Sequence, residues 1–415
     1  MATSLVHIGD FHAGPGPRNA ARFRALDQIL DEALQLPNLG AFLWPGDLSH
    51  QRQAIADENA LIERLRRMSA AAPVVLVYGN HDAEGDLDKF AHVAAGNPIY
   101  VVDRPTVLRI RLATMAFASI ACLPYPHRHG LVLAGMANPD LVDAAAEALD
   151  GIFLQFAAEL EAARGRGDLT LFIGHANVGG AVTSSGQPNI GREIELSPRH
   201  LDRLGPIYKG LNHIHKGQEI CGAYYPGSIC RLDWGEIEEK RWLEVDYHAP
   251  GHGDEASVCF VVDEHPIDVA PMYHVEGQLT RDSFTWQVTA GPGGELQDAP
   301  PSWKGCEVRV RYTFAQSEAA VINKALVSEP FAEAALLTLD PIAIPDRALR
   351  APEVAAAKTL PEKITAWCAI AGAVASAGAL MKLGALEQRA PEQLLALVKH
   401  DVDEIVAEEN QAVPA

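Results

Sequence analysis

Seven side chains that can bind metal ions follow apolar segments of this chain or lie in nearby loops. They are Asp10, His12, Asp47, Asn80, His175, His213 and His215. Their donors are carboxylate and amide oxygens and imidazole nitrogens, without a thiolate. This mixture favours manganese, iron or zinc in a reactive site over a structural zinc. Seven donors are too many for one ion, so we predict two divalent ions about 3.5–4 Å apart that share a bridging carboxylate.

The charge of this donor set indicates the kind of substrate. Two divalent ions carry four positive charges, and the carboxylates of Asp10 and Asp47 cancel two of them. Asn80 is a neutral ligand and leaves the remaining positive charge in place. Such a site can hold a phosphate oxyanion and an attacking hydroxide together.

Each of these residues by itself has a simpler explanation. A polar residue at a strand end is usually a helix cap or a turn former, and Asp47 after Gly46 could be only a turn. His175 alone is more often a structural histidine than a ligand. The spacing of His213 and His215 is more specific, because a strand puts both on one face. The seven residues in this order indicate a metal site far more specifically than any one of them does alone.

The elements that must position these residues are predicted by the apolar pattern. Apolar strands are predicted over 4–9, 39–45 and 74–78, with helices between them. This β-α-β-α-β order predicts a largely parallel sheet, with the polar residues at the carboxyl ends of its strands. A long helix over 139–164 and a strand over 169–173 precede His175.

Composition and the first residues indicate where the protein is located and what it attracts. The chain has 415 residues, of which 48% are hydrophobic, and no apolar run approaches the length of a membrane span. The first residues lack a basic region and a cleavage site, so we expect no signal peptide and a cytoplasmic protein. The net charge of −20 repels nucleic acid at long range.

Changes in pattern suggest four segments. We predict a first domain over 1–250 that contains the seven side chains, a small α+β unit over 251–337, called the cap below, a proline-rich linker over 338–356 and a helical tail over 357–415. The small unit is expected to contain strands near 258–262, 285–288 and 307–312 and a helix from Glu318. An apolar stripe in the tail is a candidate docking face for a partner, although packing within the chain explains it equally well. The stripe consists of Leu394, Val398, Val402 and Ile405.

The ordered motifs resemble the five signatures of the calcineurin-like metallophosphoesterase superfamily. They are Asp10-x-His12, Gly46-Asp47, Gly79-Asn80-His81-Asp82, Gly174-His175 and His213-x-His215. The resemblance covers roughly residues 4–247 and implies an α/β fold, a four-layer αββα sandwich. It also implies which residues bind which ion. One ion takes Asp10, His12, Asp47 and His215, the other takes Asp47, Asn80, His175 and His213, and Asp47 bridges.

One position departs from the superfamily's pattern. Asn212 stands where the last motif usually has glycine. Asparagine tolerates left-handed backbone conformations better than most residues, so we expect the turn to survive.

The second motif resembles the DNA repair nuclease branch typified by the bacterial SbcD subunit. His50 in Gly-Asp-Leu-Ser-His stands where protein phosphatases have an aspartate. The segments 225–228 (YPGS) and 233–236 (DWGE) are also similar to that branch. This resemblance implies a DNA exonuclease or endonuclease of double-strand-break repair, with a catalytic domain over 1–250 and a cap over 251–337 that could bind DNA. It also implies two Mn²⁺ ions, with Fe²⁺, Zn²⁺ or Mg²⁺ as alternatives, a homodimer, and an SbcC-type ABC ATPase as partner.

Three residues are candidates for proton or phosphate handling. His81 is placed to steady the phosphate or protonate the leaving 3′ oxygen, since histidine titrates near neutral pH. His50 is expected to assist His81 or the substrate phosphate. Asp82 is as suited to a structural role as to a catalytic one.

Two other functions stay open. A phosphodiesterase or phosphatase acting on small molecules, nucleotides or proteins would need neither His50 nor the cap and tail. A non-catalytic scaffold would be expected to have lost ligands, whereas all seven are present.

Overall fold

The computed structural model describes residues 2–50, 54–126, 138–184, 194–248, 259–296, 298–345, 351–390 and 393. Its strands are β1 (Thr3–His7), β2 (Leu39–Pro45), β3 (Val74–Val77), β4 (Ile99–Val102), β5 (Thr106–Arg111), β6 (Phe117–Leu123), β7 (Leu169–His175), β8 (Tyr208–Asn212), β9 (Gln218–Ile220), β10 (Ala223–Tyr225), β11 (Lys240–His248), β12 (Cys259–Ile267), β13 (Met272–Leu279), β14 (Phe284–Ala290), β15 (Glu307–Ala315) and β16 (Leu336–Ile344). Its α-helices are α1 (Asn19–Ala33), α2 (Ile55–Ala71), α3 (Asn138–Gly165), α4 (Pro198–Arg203), α5 (Ala325–Ser328), α6 (Pro352–Ala356), α7 (Leu360–Ile370) and α8 (Ala377–Glu387).

Two six-stranded sheets form the centre of the fold. The first has the order β12-β11-β1-β2-β3-β4 and the second the order β5-β6-β7-β8-β10-β9. The strands β1, β2 and β3 are parallel, as the alternation of strands and helices predicts, and so are β6, β7 and β8. Parallel strands place their carboxyl ends at one edge of each sheet.

The buried side chains show the four layers of an αββα sandwich. A central core joins inward residues of both sheets, such as Leu43 and Val75 from the first and Ile120 and Ile173 from the second. On the outer face of the first sheet, α1 and α2 pack over a second core. Helix α3 covers the outer face of the second sheet, where Phe153 is fully buried. The fold predicted for the first part of the chain is therefore confirmed.

The third sheet is smaller and has the order β14-β13-β15-β16. Its buried face packs on Val327 and Phe331, in and just after α5. The sequence predicts a helix from Glu318 here, but the structure has a short 3₁₀ turn over Gln316–Glu318 and then the single-turn helix α5 over Ala325–Ser328.

Two elements differ from the sequence prediction. The strand predicted near 258–262 as part of the small unit is β12, which pairs antiparallel with β11 and so belongs to the first sheet. Residues 338–344, predicted as a linker because of their prolines, lie in β16. This strand is at an edge of the third sheet, where the missing amide hydrogen of Pro341 can face away from the ladder.

Contacts divide the chain into two compact units. One comprises Met1–Phe314 and Val321–Ile342, and the other Ala315–Ala320 and Ala343–Ala415. In the second unit, α7 and α8 contain no buried residue. The predicted stripe of Leu394, Val398, Val402 and Ile405 lies outside the described residues. No helix in the described part of the chain is long and apolar enough to cross a membrane.

A buried chain of polar side chains connects the two large sheets. The Tyr208 hydroxyl donates to Nδ1 of His7 (2.7 Å), and Nε2 of His7 donates to Oδ1 of Asn212 (3.0 Å). Asn212 in turn donates from Nδ2 to the carbonyl of Ile8 (3.1 Å). The side chain at position 212, where glycine was expected, therefore has a structural function between the sheets.

His7 makes stability depend on pH. Burial lowers the pKa of His7 from 6.5 to about 3, although the bond to Asn212 opposes this shift. Between pH 6.5 and 3 the unfolded chain binds a proton at this residue and the folded chain does not. Stability should therefore fall as the pH decreases through this range, by up to about 1.4 kcal/mol per pH unit from His7 alone.

The matched control is His7→Gln, whose amide can donate to Asn212 but does not titrate. Denaturant unfolding of both proteins between pH 6.5 and 4.5 should give a steeper loss of stability for the wild type. If the free energy of unfolding falls equally steeply with pH in both proteins, the assignment of a neutral, buried His7 is contradicted.

Candidate metal centre

The predicted ligands meet where the carboxyl ends of both large sheets lie side by side. Asp10 and His12 follow β1, Asp47 follows β2, and Asn80 follows β3. His175 is the last residue of β7, and the pair His213 and His215 follows β8. The donor atoms of Asp10, Asp47 and His175 all lie within 4.8 Å of one another, and all three residues are buried. The structure therefore brings together residues that are far apart in the sequence.

Asp47 lies at the centre of this cluster. Its Oδ2 is 3.3 Å from Nε2 of His12 and 3.2 Å from Nε2 of His175. Its Oδ1 accepts a hydrogen bond from the backbone amide of His81 (2.9 Å). One oxygen is thus held by the loop after β3, while the other faces ligands of both predicted groups, as a bridging carboxylate requires.

The other donors fall into two groups beside Asp47. Nε2 of His12 lies 3.2 Å from Nε2 of His215. On the other side, Oδ1 of Asn80 lies 2.9 Å from Nε2 of His175 and 3.0 Å from Nδ1 of His213. His12 and His215 thus lie together on one side of Asp47, and Asn80, His175 and His213 lie together on the other, while Oδ1 of Asp10 is 3.8 Å from Nδ1 of His175.

The chemistry of the donors fits a cation. Nδ1 of His175 donates to the carbonyl of Pro45 (2.8 Å), so a neutral ring has its lone pair on Nε2. That atom faces Oδ1 of Asn80 and Oδ2 of Asp47, which are also electron-pair donors. Donors at these distances repel one another unless a positive charge lies among them.

The carboxylates produce the same preference for positive charge. Burial lowers the pKa of His175, but the charges of Asp47 and Asp10 outweigh it and raise this pKa to about 9. The pKa of Asp47 is held well below its ordinary value, because the neighbouring histidines His175 and His12 outweigh the effect of its burial. Divalent ions would supply the positive charge that the cluster favours.

Three of the predicted ligands have strained backbones. His12, Asp47 and His213 have φ values of 51°, 53° and 104°, in the left-handed region that L-residues rarely adopt. Such residues each cost about 1–3 kcal/mol and are found where function requires the geometry. Asn212 itself ends β8, and the positive φ falls on the next residue, His213.

Asp82 holds two ligand loops together. Its Oδ2 accepts from the backbone amides of Asp47 (2.8 Å) and Gly79 (2.9 Å), and its Oδ1 accepts from the amide of Ser49 (2.9 Å). With both oxygens used in this way, Asp82 is placed to position Asp47. Of the two roles considered for Asp82, this geometry favours the structural one.

His50 and His81 lie at the exposed side of the cluster. Their rings stack at 4.6 Å with an interplanar angle of 26°, and Nδ1 of His50 is 3.3 Å from Nδ1 of His12. Burial lowers the pKa of both rings, which favours their neutral forms. A bound phosphate would raise these pKa values through its negative charge.

Sequence reasoning assigned no role to two neighbours of the ligands. Glu236 accepts a hydrogen bond from Nδ1 of His215 (2.8 Å), and it belongs to the DWGE segment that the sequence analysis singled out. The Tyr125 ring lies 5.4 Å from the ring of His213. Tyr125 follows β6 in an ordinary Pro-Tyr-Pro loop, so no sequence signal pointed to it.

Comparison with known families agrees with this geometry. Residues 3–209 match the family described as calcineurin-like phosphoesterase. The chain thus contains a calcineurin-like metallophosphoesterase domain over these residues, which include five of the seven predicted ligands. Together, the family and the cluster of Asp10, His12, Asp47 and His175 indicate a dinuclear site for divalent metal ions.

Glycine is required at position 79 because an added Cβ would overlap the carboxylate and the backbone amide nitrogen of Asp47. We predict that Gly79→Ala displaces Asp47 and weakens metal binding about 10–100-fold, the range found when the supports of a ligand are removed. Titration with Mn²⁺ by calorimetry measures this directly.

Gly151→Ala is the matched control. Gly151 lies within α3, and an added Cβ meets no atom within 4 Å. This variant should bind Mn²⁺ as the wild type does. Wild-type affinity in Gly79→Ala would show that the Gly79–Asp47 contact does not hold the site.

Proposed function

We propose that this protein is the nuclease subunit of a DNA repair complex and hydrolyses phosphodiester bonds in DNA. The observation that carries the proposal is the stacked pair of His50 and His81 beside the dinuclear cluster. His50 is the residue that distinguishes the second motif from that of the protein phosphatases. Its position against His81 and His12 supports a role at the substrate phosphate.

The ligands have distinct tasks in this proposal. Asp10, His12, Asp47 and His215 hold one ion, and Asp47, Asn80, His175 and His213 hold the other. We expect Mn²⁺, with Fe²⁺, Zn²⁺ and Mg²⁺ as alternatives. When bound, the ions supply positive charge to the phosphoryl oxygens and activate water for in-line attack.

The remaining residues handle protons and geometry. His81 and His50 present imidazoles at the open side of the site, where a phosphate would raise their pKa. A protonated His81 can then stabilise the phosphate or give its proton to the leaving 3′ oxygen. Asp82 keeps Asp47 in place through three backbone amides.

The acidic surface requires help with DNA binding. With a net charge of −20, the chain by itself repels duplex DNA at long range. An SbcC-type ABC ATPase, the partner expected from the resemblance, would supply that affinity. The exposed apolar side chains of Trp367, Ile370, Val374 and Met381, in and between α7 and α8, support a docking role for the tail. We also propose a homodimer in the cytoplasm.

One observation favours the second candidate function, a phosphodiesterase or phosphatase for small phosphoesters. A cavity of about 660 Å³ lies next to the metal cluster and is lined by Asp82, Glu84, Asp88, Asp103, Tyr78 and Tyr125, among others. Its acidic wall would repel a polyanion, but it would admit a small substrate with a neutral or cationic group.

Cleavage of linear duplex DNA in the presence of Mn²⁺, with and without the ATPase, tests the proposal. Asp47→Ala should abolish cleavage, because it removes the bridging carboxylate. His81→Ala should lower the rate of DNA cleavage about 10²–10⁴-fold, the range for loss of an acid–base group. This variant should bind as much metal as the wild type.

The control is His265→Ala. His265 is also paired with a carboxylate, Glu244 (3.0 Å), but it belongs to the edge strand β12 of the first sheet. This variant should cleave DNA at the wild-type rate. Rapid hydrolysis of bis(p-nitrophenyl) phosphate without DNA cleavage under either condition would favour the second candidate.

A further inference from the structure

A buried charged group lies directly behind the candidate ligand His215. Its members are Glu236 (1% exposed), Lys240 (1%) and Ser228 (0%). They come from the DWGE segment, the start of β11 and the YPGS segment, three neighbouring parts of the sequence that meet at one imidazole. None of these three residues has a task in the proposed reaction.

The two oxygens of Glu236 have different partners. Oε1 accepts from Nδ1 of His215 (2.8 Å), while Oε2 accepts from Nζ of Lys240 (2.6 Å) and from the hydroxyl of Ser228 (2.8 Å). Lys240 also donates to the backbone carbonyl of His215 (3.2 Å). The carboxylate is therefore fixed on one side and presents its other side to the ring.

Stability alone does not explain this arrangement. Burying an ion pair costs desolvation energy that its attraction barely offsets, and an apolar pair of similar size is often as stable or more so. An apolar group, however, could not bond to Nδ1 of His215. A carboxylate there keeps the proton on Nδ1 and leaves the lone pair on Nε2, the atom that faces His12.

The segment that carries Glu236 is itself anchored. Nε of Arg231 donates to the carbonyl of Glu236 (2.9 Å), and Nε2 of His274 donates to the carbonyl of Trp234 (2.8 Å). The Arg18 guanidinium lies over the Trp234 ring at 4.4 Å and is paired with Glu307 (2.8 Å). These contacts, two of them with residues of the third sheet, hold the carboxylate at a fixed distance from His215.

We propose that Glu236, held by Lys240 and Ser228, is a positioning residue that sets the tautomer and ring orientation of His215 for metal binding. This inference rests on the proposed role of His215 as a ligand of the first ion. It assigns a function to the DWGE segment that the family resemblance leaves without one. Removing the carboxylate should affect the ion bound by Asp10, His12, Asp47 and His215 more than the other ion.

The test is Mn²⁺ binding to Glu236→Gln. A glutamine can turn its amide toward His215 and favour the proton on Nε2, which then cannot bind a metal. The wild type should bind two ions, and the variant should bind one of them about 10–100-fold more weakly. In the metal-free proteins, ¹⁵N spectra of the histidine rings should show His215 protonated at Nδ1 in the wild type and a shift toward the Nε2–H tautomer in the variant.

Glu244→Gln is the matched control, because Glu244 also contacts a histidine nitrogen, Nε2 of His265 (3.0 Å). Glu244 lies in β11 and His265 in β12, outside the candidate site. This variant should bind both ions as the wild type does. If Glu236→Gln does not fold, Ser228→Ala removes one bond to Oε2 and should give a smaller loss of affinity for the same ion.

The outcomes separate this inference from the proposed function. A wild-type protein that binds fewer than two ions would contradict the proposed metal centre itself. If the wild type binds two ions and Glu236→Gln binds both with unchanged affinity and an unchanged tautomer, the inference is wrong. If Glu236→Gln does not fold and Ser228→Ala is measured in its place, unchanged Mn²⁺ affinity in Ser228→Ala would likewise show that the inference is wrong.

Discussion

The structure depends on keeping one charged carboxylate, that of Asp47, almost completely buried between two sheets. A buried carboxylate is costly unless charges and hydrogen bonds compensate it. Here the histidines His12 and His175 contact Oδ2, and the amide of His81 contacts Oδ1. The cluster around Asp47 still favours additional positive charge, which divalent ions would supply. This explains how a chain of net charge −20 can hold a phosphate at this point.

The rest of the fold keeps this centre in a geometry that the backbone does not favour. His12, Asp47 and His213 have positive φ values, and the loops that carry them are fixed from behind. Asp82 holds the loops after β2 and β3, while the bonded chain from Tyr208 through His7 and Asn212 joins the sheets next to His213. The conformational strain is thus offset by hydrogen bonds within the rigid sandwich.

Much of the fold could be predicted from the sequence, and so could the residues that meet at the candidate site, because both follow local patterns. Apolar strands alternate with helices in the first sheet, and a polar residue after each strand must lie at the same edge. Contacts between distant segments were not predictable in this way. Neither the bond of Glu236 to His215 nor that of His7 to Asn212 leaves a periodic signal. The assignment of β12 to the first sheet and of the proline-containing β16 to the third depends equally on long-range pairing.

The central claim is that Asp47 bridges two metal ions, and electron paramagnetic resonance of the protein loaded with Mn²⁺ tests it most directly. At two equivalents of Mn²⁺ we predict the spectrum of a spin-coupled pair, because ions that share a carboxylate lie about 3.5–4 Å apart. Asp47→Asn should weaken or remove the coupling. Two uncoupled signals, or a single ion at saturation, would contradict a dinuclear centre built around Asp47.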